Sequence, residues 1–165
     1  MRHTRLIPIA VLAFAVACSE DSPNLVENNS LQFAQGNPHF IANATECTEV
    51  GLTLVCDFKE AGLASGITVT IQVSVFASRE DSCVNNGQQI PNDPKKTTTA
   101  ATVTASGQFT SGKNGSVVDD LTVSLPPTSL SCPPGQTATL ISSNFVPNAT
   151  ITDLTSGATI SVGGF

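Results

Sequence analysis

The decapeptide ITVTIQVSVF, residues 67–76, alternates Ile67, Val69, Ile71, Val73 and Val75 with Thr68, Thr70, Gln72 and Ser74. In an extended chain successive side chains point to opposite faces, so a period of two predicts a strand with one buried and one wetted face. Its apolar positions are all β-branched, which suits a pleated surface. Phe76 falls on the polar side, and the expectation is that a loop covers it. Working outward, the same period recurs. LTLVCDF (52–58) turns Leu52, Leu54, Cys56 and Phe58 inward, TAATVTASGQF (99–109) sets Ala101, Val103 and Ala105 on one side, and LTVSL (121–125) does so with Leu121, Val123 and Leu125. HFIANAT (39–45), TATLISSNF (137–145) and ATITDL (149–154) bring the expectation to about seven strands.

Turn chemistry separates these runs. Lys113-Asn114-Gly115-Ser116 lies between two of them, and Asn-Gly predicts a hairpin because both residues tolerate positive φ. Pro126-Pro127 and Pro133-Pro134-Gly135 stop strands on either side of Cys132. Short strands with such punctuation predict an all-β fold, an antiparallel two-sheet sandwich of immunoglobulin-like architecture over residues 38–165. The chain has no Trp, so the core must rest on Val, Ile, Leu and Phe.

Upstream of the sandwich the chain reads as an export signal and a tether. Met1-Arg2-His3-Thr4-Arg5 is a basic leader, Leu6 to Ala17 is apolar, and Ala15-Val16-Ala17 offers the small residues that a signal peptidase reads. The apolar run is shorter than the ~20 residues that cross a bilayer. Residues 1–17 are therefore expected to be removed. The site before Cys18 resembles a bacterial lipobox, in which the cysteine is acylated and becomes the new N-terminus; Ala15 stands where leucine is usual. Cleavage by ordinary signal peptidase is the alternative and leaves a secreted protein with a free thiol. Residues 18–37 are rich in Asn, Ser, Gln and acid without periodicity, and predict a flexible tether with a reach of roughly 20 to 25 Å. Ser19 is not the aspartate that retains some lipoproteins at an inner membrane, so in a two-membrane host the outer membrane is favoured.

Loss of Arg2 and Arg5 leaves five basic residues against thirteen acidic ones, a net charge of −8 from Cys18 onward. That balance disfavours nucleic acid, whose binding draws on phosphate neutralisation by Lys and Arg. It also gives no basic patch for anionic lipid, so membrane attachment would come only through a lipid on Cys18.

Of five cysteines, Cys18 is set aside for acylation, and an oxidising compartment makes disulfides the default for Cys47, Cys56, Cys83 and Cys132. Three pairings are possible. A turn at Gly51-Leu52 would set Cys47 directly opposite Cys56, which leaves Cys83 for Cys132. A zinc site would need Cys-x-x-Cys spacing or a nearby histidine, and neither is present.

CVNNGQ (83–88), GQFTSGKNGSV (107–117), LSCPPGQTATL (130–140) and ITDLTSG (151–157) resemble segments of a family of exported bacterial proteins of about this size. The resemblance runs over most of residues 38–160. It implies an extracytoplasmic β-domain and brings no catalytic residue with it.

Candidate chemistry is sparse. His39, the one histidine after the leader, stands at a strand start, and there is no Gly-x-Ser-x-Gly elbow. Glu80-Asp81 and Asp119-Asp120 are adjacent pairs, and neighbours on a strand point to opposite faces, one carboxylate each. A calcium site at Asp119 and Asp120 would lack the Asp-x-Asp-x-Asp-Gly loop. Sugar sites usually stack a ring on Trp or Tyr, which are absent; Phe33, Phe40, Phe58, Phe76, Phe109 and Phe145 are the available substitutes. The reading favoured by the sequence is a non-catalytic, lipid-anchored module at the cell envelope, without cofactor or metal, that contacts an extracellular or envelope protein or a glycan. An assembly module using a free sheet edge and a small secreted hydrolase are the alternatives.

Overall fold

A computed structural model of the protein describes residues 36–87, 90–91 and 94–165. The signal segment, Cys18, Phe33 and most of the tether lie outside the described residues. Among the described residues nine strands form two antiparallel sheets packed face to face: β1 (His39–Phe40), β2 (Glu46–Val50), β3 (Thr53–Ala61), β4 (Thr68–Asn85), β5 (Lys96–Thr110), β6 (Val117–Ser124), β7 (Gln136–Phe145), β8 (Asn148–Asp153) and β9 (Thr159–Gly163). Among the described residues the one helical element is a 3-10 turn, Ala42–Ala44, and no helix is long and apolar enough to cross a membrane.

In the first sheet, β3 is central, with β6 along one side and β1 and β2 end to end along the other. In the second, β4 is central, with β5 along one side and β8 then β7 along the other; β9 lies outside β8. The alternation of residues 67–76 is realised as expected. Val69, Ile71, Val73 and Val75 are fully or nearly fully buried, each worth about 1.5 to 3 kcal/mol of transfer free energy. Opposite them, Leu54, Cys56 and Phe58 of β3 and Val123 of β6 close the core. Phenylalanine takes the place of a tryptophan pin: Phe58 meets Phe40 and Phe109 edge to face, with centroids 6.3 and 5.2 Å apart.

Both disulfides form as paired above. Cys47 and Cys56 are directly opposed, 4.0 Å between Cα atoms, because the β2–β3 turn closes at Val50 and Thr53. Cys83 joins Cys132, 5.6 Å between Cα atoms.

Four expectations are corrected. Residues 39–45 are not one strand; the 3-10 turn separates β1 from β2. Leu52 is exposed, since it occupies the two-residue turn and lies beyond the inward set. Asn114-Gly115 makes no hairpin: β5 pairs with β4 and β6 with β3, so this turn is a corner between sheets. Gly115 has φ +68° and its carbonyl accepts from the Leu63 amide at 3.0 Å, an approach so close that a Cβ would lie 2.1 Å from the Leu63 oxygen. Phe76 is uncovered, with 47% of its surface exposed.

Among the described residues no loop covers Phe76, and the Pro-rich connection between β6 and β7 crosses the opposite, inner face of β4. β4 outruns the sandwich, and its far half is roofed by residues 125–135. Arg79 Nη1 donates to the Pro126 carbonyl at 3.2 Å, Leu130 is buried, Lys95 Nζ donates to the Ser131 carbonyl at 2.9 Å, and Cys132 is tied to Cys83. A register shift between Glu80 and Asp81 accommodates the extra residue of β7.

Candidate binding face on the five-stranded sheet

The registers of the second sheet turn the polar half of each strand into one surface. Rows run across the strands: Ser106, Gln72, Thr152 and Thr159 in one, Thr104, Ser74, Thr150 and Ser161 in the next. Farther along β4 come Ala100, Ser78 and Asn144, then Thr98, Glu80 and Ser142. Thr70 and Gln108, then Thr68 and Thr110, close the near end. Threonine is favoured on exposed strand positions for its branched Cβ, and each hydroxyl can both donate and accept. Among the described residues the charges on this face are Glu80 and Lys96 at the far end, 3.7 Å from each other.

Phe76 stands in the middle of this field, opposite Thr102. On its other side Val146 donates its amide to the Phe76 carbonyl at 2.9 Å, and its side chain is 39% exposed. The two make an apolar island across β4 and the β7–β8 connection, bordered by Ser74 and Ser78 on β4. Two hydroxyl pairs, Thr68 with Thr110 at 3.1 Å and Thr152 with Thr159 at 3.2 Å, bond to each other near the margins. Among the described residues, Ser74, Ser78, Thr102 and Thr104 form no side-chain bond within the protein.

The outer face of the other sheet differs. Glu46, Asp57 and Asp120 line up in one row across β2, β3 and β6, next to Lys59 on β3. Directly opposed like charges are unfavourable and keep such a surface hydrated. Among the described residues no group of three or more histidine, cysteine, aspartate or glutamate side chains converges to hold a metal ion.

Three acids are buried among the described residues. Asp81, 1% exposed, receives both Nε (2.8 Å) and Nη2 (2.7 Å) of Arg79, and that guanidinium holds its carboxyl below the ordinary range. Glu60, fully buried on the inner face of β3 between Phe40 and Val117, has neither carboxyl oxygen in hydrogen-bonding geometry with a partner. Burial, and then the neighbouring charge of Asp153, push Glu60 up to about 8. Asp153 is itself buried and accepts the Thr155 and Ser156 amides at 2.8 and 3.2 Å, which shapes the turn into β9. Both acids are closed off from solvent.

The residues singled out in the sequence do not converge. His39 is exposed at the start of β1 and its Nδ1 lies 2.6 Å from the Asn37 carbonyl. Asp119 and Asp120 are exposed on β6, while Glu80 faces outward and Asp81 inward as the strand period requires. Phe40, Phe58 and Phe145 are core and Phe109 is half-buried, which leaves Phe76 as the described aromatic that meets solvent. The buried acids were missed, although the signal was there. Glu60 continues the inward set Leu54, Cys56, Phe58, and Asp153 continues Ala149, Ile151. No protein-family model, curated protein or solved structure matches this chain.

Proposed function

We propose that the protein is a non-catalytic binding module of the extracytoplasmic space, carried on a lipid at Cys18, that offers the outer face of the β4–β5–β7–β8–β9 sheet to a partner in the envelope. The observation that carries this reading is the asymmetry of the sandwich. Among the described residues, the outer face of the β1–β2–β3–β6 sheet carries Glu46, Asp57, Lys59 and Asp120, whereas the other carries one ion pair at its far end and an exposed Phe76 at its centre. Exposed apolar surface rimmed by polar groups marks interaction sites. Two disulfides are compatible with an oxidising compartment.

Site-directed photo-cross-linking on the native cell surface tests it. A benzophenone side chain at Thr104 is expected to give adducts, and one at Thr122 on the opposite outer face to give none. Equal labelling, or none at Thr104, removes the reading. Intact mass tests the anchor, with acyl mass on Cys18 as the expected result.

A second reading has its own observation. Among the described residues β5 pairs with β4 alone, and residues 97–110 contain no charge, so that edge lacks the side chains that usually blunt strand addition. A particle size that grows with concentration in the unlipidated protein would favour assembly through that edge.

A further inference from the structure

Resting on that reading, the face has a chemistry narrow enough to name its ligand class. We propose that it binds a neutral, single-chain glycan, with one sugar ring seated on Phe76 and Val146 and its neighbours along the chain held by the flanking hydroxyl rows.

Charge decides first. The face presents no net charge, the ion pair of Glu80 and Lys96 lies at its far end, and the chain as a whole is acidic. An anionic polymer would find no cation near Phe76 and would meet the repulsion of the acidic domain around it. Hydrogen-bonding capacity decides second. Side chains that each donate and accept, free of internal partners, match a ligand made of hydroxyls that do the same. Such bonds replace bonds to water and contribute little affinity singly, so the apolar island must supply the anchor. A pyranose ring has an apolar C–H face of about the right extent to cover the 47% of Phe76 that is exposed.

Spacing decides the direction. Strands lie ~4.8 Å apart, close to the rise of one sugar in an extended glycan, so a chain lying across the strands meets a new strand with each residue. Along the row from Thr102 through Phe76 to Val146, the rows of Ser74 and Ser78 flank it on both sides. Sheet twist then excludes a crystalline partner. Adjacent strands rotate by roughly 20 to 25°, so a rigid flat lattice could touch only two or three of them, whereas a single chain can follow the surface.

The test uses the exported protein with its N-terminal tail in place and isotope-labelled for NMR, titrated to millimolar concentration with cellohexaose, chitohexaose, maltohexaose and, as the charged comparison, hexagalacturonate. At least one neutral hexasaccharide is expected to shift the amides of Ser74, Phe76, Ser78 and Thr102 and to leave those of Val118 and Thr122 in place. Phe76→Ala should weaken that binding about tenfold or more, since it removes the anchor from an exposed site where the fold is indifferent to it. Phe76→Tyr should retain it. Thr104→Val, an independent variant that removes one of the free hydroxyls and keeps the side-chain shape, should weaken binding without touching the ring.

The proposal is overturned if no neutral hexasaccharide shifts these amides, if hexagalacturonate binds as tightly, or if Phe76→Ala binds unchanged. Failure of the glycan and failure of the face are separable. Protease-sensitive cross-links from Thr104 without sugar binding discard the glycan and keep the face as a protein contact; absence of both discards the two together.

Discussion

Replacing Glu60 with glutamine should stabilise the protein at neutral pH, an unusual result for a fully buried position. The folded-state carboxyl is raised from 4.5 to about 8 by burial and by Asp153. Between those values the folded protein keeps a proton that the unfolded chain has released. Stability therefore falls as pH rises, with a slope approaching about 1.4 kcal/mol per pH unit. The contribution is intact below the unfolded value of 4.5 and fully lost once pH has climbed past about 8. At pH 7 the accumulated loss is roughly 3 kcal/mol, and an amide, which never ionises, does not suffer it. Urea unfolding midpoints of wild type and Glu60→Gln at intervals from pH 5 to 8.5 read this directly. The wild-type curve should descend and the variant should be flatter, with the gap widening toward alkaline pH. Asp81 does not interfere, because its lowered carboxyl titrates below 3.8. Parallel curves, or a wild type that gains stability between pH 5 and 8, would refute the reasoning.

Three further outcomes follow from the geometry. Gly115→Ala should be strongly destabilising by thermal melting, since φ is +68° and the new Cβ would lie 2.1 Å from the Leu63 oxygen, whereas Gly51→Ala, at φ +63° with open space around it, should cost only about 1 kcal/mol. Removing the Cys83–Cys132 bridge by a double serine substitution should cost about 4 kcal/mol and removing Cys47–Cys56 about 2.5 kcal/mol by urea unfolding, because the first closes a span of 49 residues and the second one of 9. Arg79→Met leaves the carboxyl of Asp81 buried without its partner and should cost about 3 to 5 kcal/mol at pH 7; a smaller loss near pH 3, where the acid can protonate, would confirm that the unpaired charge is the cause.

The parts of the fold that are local in origin can be read along the chain, and the parts that depend on partner choice cannot. Alternation alone located the first half of β4 and its buried set Val69 to Val75, because a one-residue slip would turn every one of them to water; the half from Ala77 to Asn85, which loses the simple period, was not legible. Likewise a two-residue turn at Gly51 was enough to oppose Cys47 and Cys56. Asn114-Gly115 shows where this stops. Its chemistry demands positive φ but says nothing about whether the strands on either side pair. That was decided by distant groups: Leu63, whose amide binds the Gly115 carbonyl, and Ser111, whose hydroxyl serves the Ala64 carbonyl and the Ile67 amide. Phe76 makes the same point for the candidate face. Its parity placed it outward; whether a loop lay over it depended on the route of residues 125–135, which runs across the other side.

The length of β4 has a consequence for posture. The strand starts beside the corner where the polypeptide arrives, for Gly36 lies against the Gly62 carbonyl and Gly66 bonds to Ser111, one turn from Thr68. From there eighteen residues carry the chain ~60 Å before it reverses past Asn85. With an acyl group on Cys18, the corner at Gly36 would be the part of the domain nearest the anchor and the reversal past Asn85 the end able to swing farthest from it. Pivoting on its tether, the hydroxyl field would sweep a volume around the anchor set by the length of β4, and so could reach polymers lying between neighbouring molecules.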